Sequence, residues 1–244
     1  MPDTGSQITI DPSGKWIDES KASFKMNRYD EHALEEALKI KDSRPGTIVD
    51  AITLGPNRAS AVVRRALEMG ADKGFHIIAP AGFIDPGITS SLIAEHFKIN
   101  SYDLILCGQM AEDDMLSQIG PMIATMLDMP FSTSVVSLKM DFENQVALVE
   151  RDLCGAKRQK LEISLPCLLA VQTSINRPRY PSLSNVLRAK KLSINTVDSS
   201  NNAFIQAEFT LTYPEKSASG VFLKGTIGDK AGQLMQILHE HSLI

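Results

Sequence analysis

The residues best suited to chemistry lie in one run, Gly108-Gln109-Met110-Ala111-Glu112-Asp113-Asp114-Met115-Leu116-Ser117-Gln118-Ile119-Gly120. It follows the apolar segment Leu104-Ile105-Leu106-Cys107 and leads into a helical pattern over residues 118–127. As a strand-to-helix link it is long, since such links usually take about 2–6 residues and longer ones tend to carry function. In open α/β sheets ligands bind beyond the carboxyl ends of the strands, where amides at helix starts face the crevice. Ser117, Gln118 and the amides of that helix start suit a phosphate or a sugar. The competing reading is a surface loop whose Glu112-Asp113-Asp114 run is solvated. Gly55-Pro56-Asn57-Arg58 is a second strand end of the same type. Neither loop is a GxGxxG or a GxxxxGK[ST], so neither nucleotide fingerprint applies.

Other chemistries find less support. Adjacent carboxylates such as Asp113 and Asp114 in a helix-entry loop are usually solvated or capping rather than an acid/base or metal pair. His32, His76 and His96 are scattered over different elements, and His239 and His241 lie near the C-terminus, so the five histidines form no constellation. Cys107, Cys154 and Cys167 show neither CxxC nor CxxH spacing, which reads as reduced thiols in a cytoplasmic compartment. No GxSxG is present, and an enzyme acting alone is not expected. A net charge of -4 gives no field for nucleic acid. No apolar run nears the roughly 18 residues of a membrane span, and Met1-Pro2-Asp3-Thr4 does not read as a signal peptide.

A different function is suggested by Asn176-Arg177-Pro178-Arg179-Tyr180-Pro181-Ser182-Leu183, a basic loop that follows the apolar run Leu168-Leu169-Ala170-Val171. Pro178 and Pro181 fix φ and lower the loop's entropy, which suits a preorganised docking element. Leu183 either enters a partner's pocket or opens a helix running to Lys190 and packs inward.

These segments need a scaffold. Residues 8–17 read as a polar hairpin around Pro12-Ser13-Gly14. Helical stripes at residues 30–41, 59–69, 89–97 and 118–127 alternate with strands at 47–54, 75–79 and 104–107. That alternation with short links predicts a doubly wound, mostly parallel sheet. Runs at 135–140, 146–152 and 160–171 suit an antiparallel extension of it. After Lys191 periodicity is lost: 198–202 reads as a linker and 213–228 as turn-rich. A final short helix, 229–239, carries Ala231, Leu234, Met235 and Leu238 on one face, which should be buried against something.

Several motifs taken jointly resemble the beta-subunit family of electron transfer flavoproteins along nearly the whole chain. They are Asn27 with Ala33-Leu34-Glu35-Glu36-Ala37, Leu54-Gly55-Pro56, and Arg65-Ala66-Leu67-Glu68-Met69-Gly70-Ala71-Asp72. Asp103-Leu104-Ile105-Leu106-Cys107-Gly108, Val149-Glu150-Arg151, and Gln159, Leu161, Pro166 with Leu168-Leu169-Ala170 continue the match. Arg177-Pro178-Arg179-Tyr180-Pro181-Ser182-Leu183 and Ala189-Lys190-Lys191 complete it.

The resemblance implies an adenine nucleotide alpha hydrolase-like fold. A nucleotide-binding domain over 1–191 would contain a recognition loop at 176–188, and an arm over 192–244 would pack on an alpha subunit. It implies a heterodimer whose alpha subunit holds the redox FAD. Electrons would pass from flavoprotein dehydrogenases, such as acyl-CoA dehydrogenases, to a quinone-linked oxidoreductase. A structural AMP would lie in this subunit; in the bifurcating branch a second FAD takes its place and receives electrons from NADH. By position, Asn27, Tyr29, Leu54, Gly108, Asp113, Ser117, Gln118, Gly120 and Thr133 would belong to the cofactor site. Tyr29 falls where an aromatic residue approaches the alpha-bound flavin. Leu183, with Tyr180, would anchor partner dehydrogenases. A stand-alone nucleotide-binding regulatory module of related fold is the third reading.

Three departures from the family pattern bear on this. The hydrophobic strand that precedes a Lys-x-Val-Pro-Asp-Thr-like sequence is absent here, as from a downstream start or a shortened chain. It would be a central strand with backbone contacts to the adenine, and its loss would expose Leu54 or nearby backbone. In the nucleotide loop, Asp113, Gln118 and Gly120 match both branches, while Met115 and Leu116 replace the acid and threonine of the bifurcating loop. Ile119 removes the hydroxyl of the AMP loop, and Thr133 would supply a phosphate contact instead. Losing one charged hydrogen bond costs roughly 1.5–3 kcal/mol, and AMP remains the expected ligand. Cys154 stands where an acid is usual, and no function follows from it.

Overall fold

Helix α1 (Arg28–Ser43) opens the regular part of the chain and sets the position of both segments of interest. It is followed by β1 (Asp50–Gly55), α2 (Ser60–Met69), β2 (Lys73–Ile78), α3 (Pro86–Ile99), β3 (Leu104–Gly108) and α4 (Ile119–Met126). Next come β4 (Phe131–Asp141), β5 (Val146–Leu153), β6 (Lys157–Ser164), β7 (Cys167–Val171), α5 (Leu183–Lys191), β8 (Ile194–Asp198) and α6 (Ile227–Glu240). These elements come from a computed structural model, which describes residues 1–3, 5–198, 210–214 and 220–244. The expected hairpin at the start is reduced to one antiparallel bridge, Ile10 to Ile17, around a turn at Gly14.

The strands form two sheets rather than the single sheet expected. One is parallel, in the order β1-β2-β8; the other runs β3-β7-β4-β5-β6. Among the described residues no ladder joins β1 to β3. Their starts are linked instead by a side-chain bond from Tyr102 Oη to Asp50 Oδ2, at 3.1 Å. The cost of that opening is visible in burial: every residue of β7, paired on both sides, is buried, whereas most of β1 and β3, paired on one side, is only half-buried. Leu54 is among the half-buried residues.

The run 160–171 was expected to be one strand of an antiparallel extension, and here the structure differs. The run is broken at Leu165-Pro166, whose peptide bond is cis, and its second half becomes a central strand. β7 lies between β3 and β4 and is parallel to both. The physical reason is composition: Cys167-Leu168-Leu169-Ala170-Val171 is apolar at every position and can only be buried on both faces. The antiparallel extension is β4-β5-β6 alone.

Three apolar clusters hold these layers. Ala33 of α1 packs with Val135, Val149, Leu169 and Val171 on one face of the larger sheet. Leu38, from the next turn of α1, packs with Leu67, Met69 and Ala189 between α1, α2 and α5. Ile123 and Ala124 of α4 pack with Ile105 and Leu168 on the other face.

The chain divides into two compact units, Met1–Thr210 and Leu211–Ile244. β8, beyond residue 191 where the arm was expected to begin, pairs with β2 and belongs to the first unit. Most of the expected linker, residues 199–202, lies outside the described residues. In the second unit α6 starts with a reciprocal cap: Thr226 Oγ1 accepts from Asp229 N while Asp229 Oδ2 accepts from Thr226 N. No residue of α6 is buried, and Ile227, Leu234 and Met235 are exposed. Among the described residues no helix is long and apolar enough to cross a membrane.

Candidate functional site

The candidate site lies where β3 and β7 end beside an irregularity in β4. The β4–β7 register shifts between Ser132 and Val135, and Ser134 there is in the left-handed region, φ 58°. Gln109 ties the three strands: its backbone N–H donates to Val171 O at 2.9 Å, and its side-chain Oε1 accepts the N–H of Ser134. Thr133, next to Ser134 in β4, is half-buried.

Helix α4 starts here, with Gly120 packed against Cys107 and Ala170. Its N-terminus has no side-chain cap and no acid in its first turn. Helices α1 and α2 also lack a side-chain cap, whereas α3, α5 and α6 are capped by Asp85, Ser182 and Thr226. Uncapped first-turn amides at the positive end of a helix dipole suit an anion; in α4 these are the N–H groups of Ile119 and Gly120, since Pro121 has none. Gly120 is what lets α4 sit this low: a Cβ there would lie 2.8 Å from Cys107 Sγ. Gly108 plays the same part for α1, since its Cβ would lie 2.6 Å from Tyr29 Cβ. Both glycines are therefore accounted for by close packing at the site.

The loop between β3 and α4 is held by α1. Asn27 Nδ2 donates to Met110 O at 2.9 Å and to Asp30 Oδ2 at 2.8 Å. Asp30 Oδ1 accepts the N–H of Gly108 at 2.7 Å. Asn27 is thus placed as a brace of the loop, and Tyr29 lies against Gly108 between the two bracing residues. Sequence reasoning missed Asp30 as well as Gln109 and Ser134, because their partners lie 78 and 25 residues away and no local pattern marks them. Asp30 is itself exposed to solvent; local desolvation where it meets the loop raises its pKa, partly offset by its bonds from Asn27 and Gly108.

Further along, Asp113 and Asp114 accept the amides of Asp114 and Leu116, so both carboxylates shape their own loop. Met115 and Ser117 adopt positive φ, 54° and 56°, and the Met115 side chain is 64% exposed. Gln118, at the N-cap position, is exposed, and Ser117 is half-buried. Leu54 stands apart from these residues, at the carboxyl end of β1 in the other sheet. Among the described residues no group of three or more His, Cys, Asp or Glu could hold a metal. Burial pushes the thiol of Cys107 far up and that of Cys167 up to about 11, so neither is a nucleophile at neutral pH.

The second surface lies at the basic loop. Leu183 does open a helix, α5, but it does not pack inward: it is 75% exposed, Tyr180 is 90% exposed, and Leu187 one turn on is 52% exposed. On the opposite side α5 is fixed to α2, where Arg188 Nη2 donates to Leu67 O and Ala71 O at 2.9 and 3.0 Å.

A model of the electron transfer flavoprotein domain matches residues 15–202. The chain is 32% identical to the electron transfer flavoprotein subunit beta of Bacillus subtilis, covering 99% of this chain and 95% of that one. It is 34% identical to the caffeyl-CoA reductase-Etf complex subunit CarD of Acetobacterium woodii, covering 100% and 97%. The mitochondrial subunit beta of Arabidopsis thaliana is 30% identical over 91% of this chain and 89% of its own length. With a matched domain spanning most of its length and relatives aligned from end to end, this chain belongs to the electron transfer flavoprotein family, on its beta-subunit side.

Proposed function

We propose that this chain is the beta subunit of a heterodimeric electron transfer flavoprotein, that its candidate site holds a structural AMP, and that Leu183 and Tyr180 dock redox partners. The observation that carries the nucleotide reading is the uncapped start of α4, whose Gly120 packs on Cys107 at the carboxyl end of β3. A phosphate would take its first-turn amides, with Ser117, Gln118 and Thr133 as polar neighbours. Met115 and Leu116, exposed on the same loop, offer no hydrogen bond to a ribityl chain or a second phosphate, which favours AMP over FAD. The residues present thus fit a mononucleotide. The redox flavin would lie mainly in an alpha subunit, against which the apolar side of α6 would be buried, and this chain alone would be colourless. Electrons would pass from flavoprotein dehydrogenases such as acyl-CoA dehydrogenases to a quinone-linked oxidoreductase, in a cytoplasmic setting.

A second reading, a bifurcating NADH-linked subunit with a second FAD, is favoured by the likeness to the Acetobacterium woodii complex subunit. A stand-alone regulatory module is disfavoured by the exposed Ile227, Leu234 and Met235 of α6. The deciding experiment is acid release and quantification of nucleotides from the heterodimer. One FAD and one AMP per heterodimer supports the shuttle; two FAD and no AMP transfers the case to bifurcation.

A further inference from the structure

Between Gln172 and Ser182 the chain has no helix or strand, and its backbone is secured internally by one turn bond, Ile175 N to Gln172 O. What holds it is a set of side chains from α1. Glu35 accepts three bonds from Arg179: from its backbone N–H at 3.0 Å, Nε at 2.8 Å and Nη2 at 2.9 Å. Arg179 Nη2 also reaches Asp42 Oδ2 at 2.8 Å. One turn earlier, Asn176 Nδ2 donates to His32 O and to Glu36 Oε2, both at 2.9 Å, while Asn176 Oδ1 meets His32 Nδ1 at 3.0 Å. These bonds to Glu35 and Asp42 raise the Arg179 pKa and keep it charged.

Glu35, Glu36 and His32 are all buried. Buried carboxylates are expensive, and apolar residues would stabilise a helix face at least as well if stability were their only role. Their partners belong to the segment that ends in the exposed Tyr180 and Leu183. We propose that Arg179, Glu35, Asn176 and Glu36 form a clamp that presets the shape of residues 176–182, and so sets how tightly a redox partner docks. These are positioning residues, and the inference rests on the docking role assigned to Leu183 above. The clamp orders the segment before the encounter, so that ordering is not charged against binding. Lysine cannot replace Arg179, because a single ammonium cannot match the planar, multidentate grip of a guanidinium.

The test uses the heterodimer with its alpha subunit, carrying Arg179→Lys, Glu35→Gln or, as reference, Leu183→Ala. A purified acyl-CoA dehydrogenase reduced by its substrate serves as probe. Amide exchange over 176–182 is measured together with KM and kcat for the heterodimer as electron acceptor. Arg179→Lys and Glu35→Gln should each speed exchange in the segment and raise KM by about tenfold, with kcat and nucleotide content unchanged. Should either fail to assemble, Asp42→Asn removes only the outer, exposed arm of the clamp and should give a smaller shift of the same sign. Unchanged exchange overturns the clamp. So does faster exchange with unchanged KM when Leu183→Ala has raised KM. If Leu183→Ala itself leaves KM unchanged, the docking reading fails first and the clamp falls with it.

Discussion

At Gly120 a single methyl group would sit 2.8 Å from the sulfur of Cys107 and 3.4 Å from Leu168 Cδ2, both packed beneath α4. Neither can retreat in a filled core, so Gly120→Ala should cost about 1–3 kcal/mol, read as a lower denaturant midpoint at unchanged m-value. It should also lift α4 away from β3 and weaken retention of the proposed AMP. Asp30 gives a pH signature. Desolvation raises its pKa above the ordinary 3.8, an effect solvent screening keeps small because Asp30 is exposed, so the folded state binds its proton slightly more tightly than the unfolded chain does. The stabilisation from that proton is complete below 3.8 and is lost as pH rises through the folded value. Asp30→Asn keeps an oxygen for Gly108 N–H and should flatten that part of the stability profile; an unchanged profile would show that Asp30 does not titrate differently on folding. Leu183→Ala should leave the heterodimer intact and slow transfer from a dehydrogenase by about tenfold or more, as for a truncated anchor at an interface centre.

At the scale of elements, α5 depends on α2. Arg188 satisfies the carbonyls of Leu67 and Ala71 at the end of α2, and Arg64 reaches back to Ala189 O and Leu192 O. Arg188→Ala would strip two buried carbonyls of a charged donor and should cost about 2–3 kcal/mol, checked by thermal melting. The helices and parallel strands up to α4 were legible because their apolar periods are regular and their links short. The same holds for α5 as a helix opening at Leu183, since proline and serine mark its entry. β7 was misplaced because an all-apolar run of five looks alike at a sheet edge and at its centre; only the partners β3 and β4 decide. β8 was missed because Ile194-Asn195-Thr196-Val197 is too polar to announce a strand without β2 beside it. In the site, the loop and the start of α4 could be read from length and composition. The braces could not: Asn27, Asp30, Glu35 and Arg179 act through partners distant in sequence, which no local pattern encodes.

For the molecule as a whole, one property depends on a partner and another on the break between the two sheets. The second unit buries nothing along α6, so a chain ending at residue 210 should keep the fold of the first unit and lose heterodimer formation, seen as two separate peaks on size-exclusion chromatography. Retained assembly would place the interface elsewhere. The other property follows from the break between β1 and β3. Within each sheet, force is carried by backbone ladders; across the break it passes through side-chain packing and the Tyr102–Asp50 bond. Melting of the first unit should therefore begin at that seam and lose cooperativity there, with the amides of β1 and β3 surrendering their protection before those of β7.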